Sequence, residues 1–301
     1  MAAELLSICI PTYNRAPLLK EILQTFIDQM RKDGVSPGDV ILYVSDNTST
    51  DQTPQVVEGF QKQGVPLVYS RNPANLGISR NLTKVIGMGK GRFIWTVGDD
   101  EMISPKALAN MLKVLRQHDP GLLLAFDTRY TLKLPAPQLF PDYQAFAREC
   151  IRLKNAHPLA EQTLLSSNIF RSDYYDPAFA EENIDTFFPH MFGMLRPLLK
   201  KRAPVLLPDF PIITVRKEDR SVPKDGVWAN LDACWAGYLG WLRDEMQMPE
   251  LDPHAPSRAA RRAMLSSMVS DPIGYFKKYW RALFQPSAYR FLITRLFGLR
   301  K

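Results

Sequence analysis

Leu6-Ser7-Ile8-Cys9-Ile10-Pro11-Thr12-Tyr13-Asn14-Arg15 is the stretch on which the fold turns: a short apolar run, Leu6 to Pro11, breaks into a polar turn and then into helical periodicity. Leu18, Leu19, Ile22, Leu23, Phe26, Ile27 and Met30 recur at helical spacing behind Pro17, a residue suited to a helix entry. The same plan repeats as far as residue 128. Strands are predicted at Val40 to Ser45, Pro66 to Ser70, Phe93 to Val97 and Leu122 to Asp127. Between them, helices are marked by Val56, Val57 and Phe60, by Ile78, Leu82, Val85 and Ile86, and by Leu108, Met111, Leu112 and Leu115 behind Ser104-Pro105. Such alternation is the signature of βα units and an open, mostly parallel twisted sheet flanked by helices. Beyond Pro135 the regularity weakens. Helices are expected at 142–153, 186–201 and Val227 to Met246, with strands at Ser167 to Phe170 and within Val205 to Val215, and Pro249 to Pro256 reads as a linker.

Composition narrows the classes. The 301 residues are 46% hydrophobic and 23% charged, enough apolar content for a substantial core and against a disordered chain. No apolar run reaches the length of a spanning helix, and Glu4 near the start is unlike the basic entry of a secretory signal, so cytoplasmic residence is the expectation. Cys9, Cys150 and Cys234 are far apart and form no CxxC pair, which supports neither a disulfide framework nor a structural zinc site. Ten basic residues between Ser257 and Lys301 stand against Asp271 alone, so the tail carries +9 of the net +7 and the rest of the chain −2.

Four polar segments fall at the carboxyl ends of predicted strands, the edge where open α/β sheets bind ligands: residues 11–15, 45–51, 72–81 and 98–101. Singly, each also reads as helix capping or turn chemistry. Together they describe a nucleotide site. Tyr13 offers an aromatic face for a base, and the Asp46 carboxylate offers an acceptor for the ring N–H of a pyrimidine such as uracil. Asp99 and Asp100 place hard oxygens where Mg²⁺ or Mn²⁺ bridges to a diphosphate. Arg80, behind Asn75-Leu76-Gly77 on the first turn of a helix, supplies fixed positive charge. Gly87 to Gly91 is not a phosphate loop, because it follows a helix and precedes a strand. Ser166-Ser167 with His190 is no hydrolase triad, since no GxSxG elbow is present.

The stretches Ile8 to Arg15, Val44 to Asp51, Asn75 to Asn81 and Gly91 to Asp100 resemble, in order and spacing, a family 2 glycosyltransferase of GT-A fold. Leu165 to Phe170 and Phe187-Phe188-Pro189-His190 are similar to its abequosyltransferase-like branch, which builds bacterial surface polysaccharides. The resemblance implies a GT-A catalytic domain at 1–215, divided into a nucleotide-sugar half at 1–128 and an acceptor half at 129–215. A helical closing segment at 216–256 and a basic aromatic tail at 257–301 would follow. It implies that Pro11, Thr12, Tyr13 and Asp46 hold the base and ribose of a UDP- or dTDP-linked donor, and that Arg80 faces the diphosphate. Asn14, Arg15, Asn75, Gly77 and Asp99 complete the donor site, and Asp99 and Asp100 stand at the Mn²⁺ or Mg²⁺ motif. Val97 stands where the family's usual first Asp would be, which removes a ribose contact, and Glu101 is an alternative member of the acidic triplet.

An inverting transfer needs a carboxylate base beside the acceptor hydroxyl. Asp185 is the first candidate and Glu182 the second. His190 is a further candidate for metal, phosphate or acceptor contact. The expected acceptor is a lipid-linked or free saccharide. Residues 271–301, with Phe276, Tyr279, Trp280, Leu283 and Phe284 on one helical face beside Lys277, Lys278 and Arg281, suit a membrane interface at the inner face of the cell. Packing on the catalytic domain or on a second copy is the alternative for this tail, and nucleic acid ranks behind both. A nucleotidyltransferase, a DNA-modifying glycosyltransferase and a silent nucleotide-sugar binding module are the competing functions.

Overall fold

The computed structural model describes residues 4–36, 38–125, 138–153, 158–159, 162–186, 188–214 and 227–254, with backbone only for 227–233. Strands β1 (Leu6–Thr12), β2 (Val40–Asp46), β3 (Leu67–Arg71) and β4 (Phe93–Thr96) alternate with helices α1 (Ala16–Lys32), α2 (Thr53–Lys62) and α3 (Ile78–Met88). β1 is buried along nearly its whole length, as a strand covered on both faces must be, and this explains its unbroken apolar run. It pairs parallel with β2, from Leu6 opposite Val40 to Thr12 opposite Asp46, and with β4, from Leu6 opposite Phe93 to Cys9 opposite Thr96. β2 carries the parallel ladder on to β3. Thr12, Asp46, Arg71 and Thr96 thereby end their strands along one edge.

The remaining strands are β5 (Met102–Ile103), β6 (Leu122–Leu124), β7 (Gln138–Phe140), β8 (Asn168–Arg171), β9 (Val205–Leu207) and β10 (Ile213–Thr214). The main sheet runs β3-β2-β1-β4-β8-β6-β9-β7, while β5 and β10 form a separate antiparallel pair. Two features depart from a simple succession of crossovers. β8 enters antiparallel between β4 and β6, so the parallel run breaks at β4. α4 (Ala107–His118) is preceded by Lys106 in the left-handed region, φ 61°, rather than capped by Ser104-Pro105. The Ser104 hydroxyl is instead 2.8 Å from that of Thr214. Helix α5 (Tyr143–Arg152) follows β7, and the short α6 (Pro177–Glu182) leads to α7 (Pro189–Lys201). Pro189 opens α7 three residues later than the periodicity predicts.

The core lies between the sheet and α1 and α4, where Trp95 is fully buried and meets Phe26 edge-on at 5.7 Å. Gly121 enters β6 under a tight constraint. A Cβ there would lie 2.3 Å from Cβ of Ala203 and 2.8 Å from Cε2 of Tyr174. Gly121→Ala is therefore expected to destabilise the fold by about 1–3 kcal/mol in urea unfolding. A variant as stable as the wild type would show that this approach is loose.

Residues 1–216 and 217–301 form two compact units. The second contains α8 (Val227–Glu245). The tail at 257–301, with its expected membrane face, lies outside the described residues, as do Phe187 and the segment 126–137.

Candidate active site

The polar turn after β1 is locked before any ligand arrives. Asn14 takes a left-handed conformation, φ 53°, which asparagine tolerates better than most side chains. Its N–H donates to Ser49 Oγ at 2.9 Å, and its Oδ1 accepts from the Thr50 N–H at 2.7 Å. Asp51 accepts from the N–H of Ala16 at 2.9 Å, tying the start of α1 to the loop after β2. Tyr13 is left 44% exposed at this rim.

The loop after β2 reaches the third segment through Asn47. Its Nδ2 donates to Asn75 Oδ1 at 2.7 Å, and its Oδ1 accepts from the Leu76 N–H at 2.8 Å. Gly77, at φ 79°, then turns the chain into α3. Beneath these loops the buried Ser45, Asn72 and Asn81 are joined, with Asn81 Oδ1 accepting from Ser45 Oγ at 2.7 Å and Asn72 Nδ2 at 2.9 Å. Asn47, Asn72 and Asn81 have no role that residue type alone assigns. Their signal was the presence of amides at the ends of strands, where buried backbone groups need partners.

Asp46 is fully buried. Its Oδ1 accepts the Ser49 N–H at 2.8 Å and its Oδ2 the Tyr69 hydroxyl at 2.7 Å, with Arg71 Nε at 3.6 Å. The carboxylate expected to meet a base is thus also the organiser of its own loop, each oxygen keeping a further lone pair.

At the end of β4 the chain presents Asp99, 4% exposed. Its Oδ2 accepts from Thr12 Oγ1 at 2.8 Å and its Oδ1 from Arg15 Nη1 at 2.9 Å. The same Arg15 nitrogen lies 3.4 Å from Asp100 Oδ2. Burial raises the pKa of Asp99 above the usual carboxylate range and outweighs the opposing pull of Arg15 and Thr12. Val97 is fully buried in the apolar core, so the position two residues before Asp99 brings no polar group to the edge. Glu101 accepts from Ser166 Oγ at 3.1 Å, and that oxygen accepts from the Gly98 N–H at 3.0 Å. The turn before β8 therefore braces the acidic loop.

Asp99 and Asp100 suit a divalent cation. Both offer hard oxygen donors, and a cationic nitrogen already lies between them. Among the described residues no group of three or more His, Cys, Asp or Glu side chains forms a ligand set, so further ligands would come from the donor's phosphates and water.

Arg80 pairs with Glu181 at the end of α6, and Asp185 adds to the field that raises its pKa. α3 packs on α6 and α7, which brings the diphosphate candidate to the segment holding the candidate bases. Glu182 and Asp185 are exposed there. His190 differs from them in being buried. It lies in the first turn of α7, where the Thr163 backbone is the polar group that acts on its ring. The following residue, Met191, receives Asn168 Nδ2 on its sulfur at 3.5 Å, and the same Nδ2 donates to the Gln162 carbonyl at 2.6 Å. Burial lowers the pKa of His190 to about 4 against a weak opposing influence of Thr163.

The family model described as glycosyl transferase family 2 matches residues 7–202. Abequosyltransferase RfbV of Salmonella typhimurium (strain LT2) is 27% identical over 258 residues, 80% of this chain and 75% of its own length. The GalNAc(5)-diNAcBac-PP-undecaprenol beta-1,3-glucosyltransferase of Campylobacter jejuni is 28% identical over 109 residues, 36% of this chain and 33% of its own. Among solved structures, S. aureus TarS 1–349 in complex with UDP-GlcNAc aligns with a TM-score of 0.54 at 17% identity, covering 98% of this chain and 80% of that one. Mannosyltransferase PcManGT from Pyrobaculum calidifontis, in complex with GDP-Man and Mn²⁺, aligns at 0.53 and 15% identity, covering 100% and 89%. These two structures speak to the fold, an open sheet of the GT-A type. With the family model covering about two thirds of the chain and the fold that of an open GT-A sheet, the chain belongs to glycosyl transferase family 2 and is a glycosyltransferase.

Proposed function

We propose that the protein moves a single sugar from a nucleoside diphosphate donor, UDP- or dTDP-linked, to a lipid-linked or free saccharide in surface polysaccharide synthesis. The observation that carries this reading is the joining of four strand-end segments into one hydrogen-bonded edge: Asn14 to Thr50, Asn47 to Asn75, and Thr12 to Asp99. RfbV and the Campylobacter glucosyltransferase, named for sugar transfer, supply the class of reaction.

In this reading Tyr13 stacks on the base, while Pro11, Thr12 and Asp46 bound the nucleoside pocket. Arg80 exchanges Glu181 for the diphosphate, a bidentate acceptor that matches a guanidinium. Asp99 and Asp100 would hold Mn²⁺ or Mg²⁺, which when bound supplies Lewis-acid stabilisation of charge on the departing diphosphate. Asp185, exposed beside Arg80, removes the proton from the acceptor hydroxyl, and Glu182 is the second candidate. An in-line attack with such a base inverts the anomeric centre. Burial of His190 supports a neutral imidazole beside the acceptor half rather than a proton carrier. No helix among the described residues is long and apolar enough to cross a membrane. The basic aromatic face at 271–301 remains the proposed membrane contact, at roughly 1 kcal/mol per basic residue on an anionic surface.

Calorimetric titration with UDP, dTDP, GDP and CDP, each with and without Mn²⁺, tests the donor site. One of UDP and dTDP is expected to bind at least about tenfold tighter with Mn²⁺, and Asp100→Ala to abolish that gain. Failure of a folded protein to bind any of the four would overturn the donor-site reading.

A further inference from the structure

We propose that Arg15 is a resident cation of the diphosphate site, held on the metal carboxylates until donor and metal arrive together. The proposal rests on the reading that Asp99 and Asp100 receive the divalent ion. A single nitrogen, Nη1, lies 2.9 Å from Asp99 Oδ1 and 3.4 Å from Asp100 Oδ2, so one positive centre serves both carboxylates. That is the electrostatic position a divalent ion takes between two hard oxygen donors.

Three observations make this contact an exchange rather than a fixed brace. The backbone of Arg15 is anchored, its carbonyl accepting the Leu19 N–H at 2.9 Å at the start of α1. Its side chain, by contrast, is 50% exposed, so the guanidinium can leave without disturbing the core. Asp99 has a second tether, the Thr12 hydroxyl at 2.8 Å on its other oxygen, and so stays in place when the guanidinium goes.

Val97 adds the reason an internal cation matters here. With no acidic side chain at that position, the protein offers a thin ligand set, and the described residues hold no group of three or more metal-ligating side chains. A bare divalent ion must then compete with Arg15 for two carboxylates, with no third His, Cys, Asp or Glu ligand among the described residues. An ion that arrives with a diphosphate brings its own oxygens, and the displaced guanidinium finds an anionic partner in the same diphosphate. Arg15 thereby couples the two binding events: it weakens metal alone and favours metal together with donor.

The test measures Mn²⁺ binding to the full chain by electron paramagnetic resonance, with Mn²⁺ alone and with UDP, dTDP, GDP or CDP in turn. Wild type, Arg15→Gln, Arg15→Lys and Asp99→Asn are compared, each with a melting curve to show that it is folded. Arg15→Gln is expected to bind Mn²⁺ alone about tenfold or more tighter than the wild type, and to show a smaller gain when the nucleotide is added. Arg15→Lys keeps the charge and should stay near the wild type. If Arg15→Gln binds Mn²⁺ alone no tighter than the wild type, while Asp99→Asn abolishes nucleotide-dependent binding, the exchange is wrong and the metal-site reading stands. If Asp99→Asn changes Mn²⁺ binding under no condition, the metal-site reading fails and the exchange with it.

Discussion

Asp99→Asn is expected to lower kcat/KM for sugar transfer by about 10²–10³-fold while leaving the melting temperature unchanged or raised. The two expectations come from the same facts. Asparagine has nearly the shape of aspartate and still accepts the Thr12 hydroxyl, so the loop after β4 keeps its anchor. What disappears is an anionic oxygen that would help to hold the divalent cation proposed to balance charge on the departing diphosphate. Burial disfavours the ionised form of Asp99 more than Arg15 and Thr12 favour it, so the charge costs the folded state free energy. Neutralising it therefore relieves the fold while disabling the site. Initial rates with the donor nucleotide that binds, alongside a thermal melt, check both halves. Activity within threefold of the wild type would remove Asp99 from the chemistry.

The second large effect concerns acid. His190 is buried and has a pKa of about 4, whereas an unfolded chain binds a proton at its histidines near pH 6.5. Above that pH neither state carries the proton, and the stability associated with a neutral His190 is fully present. As the pH falls from about 6.5 to about 4 the unfolded chain takes up the proton first and folding is penalised; below the folded value the penalty levels off. The difference corresponds to about 3 kcal/mol. Urea unfolding between pH 7 and pH 4.5 should therefore show a steeper loss for the wild type than for His190→Gln, which has no proton to bind there. Parallel curves would sink the assignment of a buried, neutral imidazole.

The parallel half was legible because its determinants are local. Apolar runs such as Leu6 to Ile10 and Val40 to Val44 are buried on both sides of the sheet, and the turn residues that end them are the ones that line the edge. The acidic loop and Arg80 were likewise visible as residue types in a pattern. Their partners were not. Arg80 meets Glu181, and Gly98 meets Ser166, across separations that no periodicity reports. The antiparallel entry of β8 depends on Ile169 lying opposite both Trp95 and Leu123, a three-strand arrangement set by packing rather than by propensity. β5 and β10 were missed or blurred for the same reason, being two-residue strands that exist only through each other. Arg15, read as one more donor contact, acquires its double carboxylate contact only when the ends of β1 and β4 are brought side by side.

The reversed strand has an evolutionary consequence. Because β8 runs against β6, the last residue of β6, Leu124, lies directly opposite the first of β8, Asn168, and the Ala125 N–H donates to the Ser167 carbonyl at 2.8 Å, although the chain between them also gives β7 to the far edge of the same sheet. The two ends of that segment are thus pinned side by side at the edge where Thr12 and Asp46 end their strands. A change of sequence or length within that segment leaves the β3-β2-β1-β4 ladder uncut, so the strand ends that carry the candidate donor site can stay fixed while the segment varies.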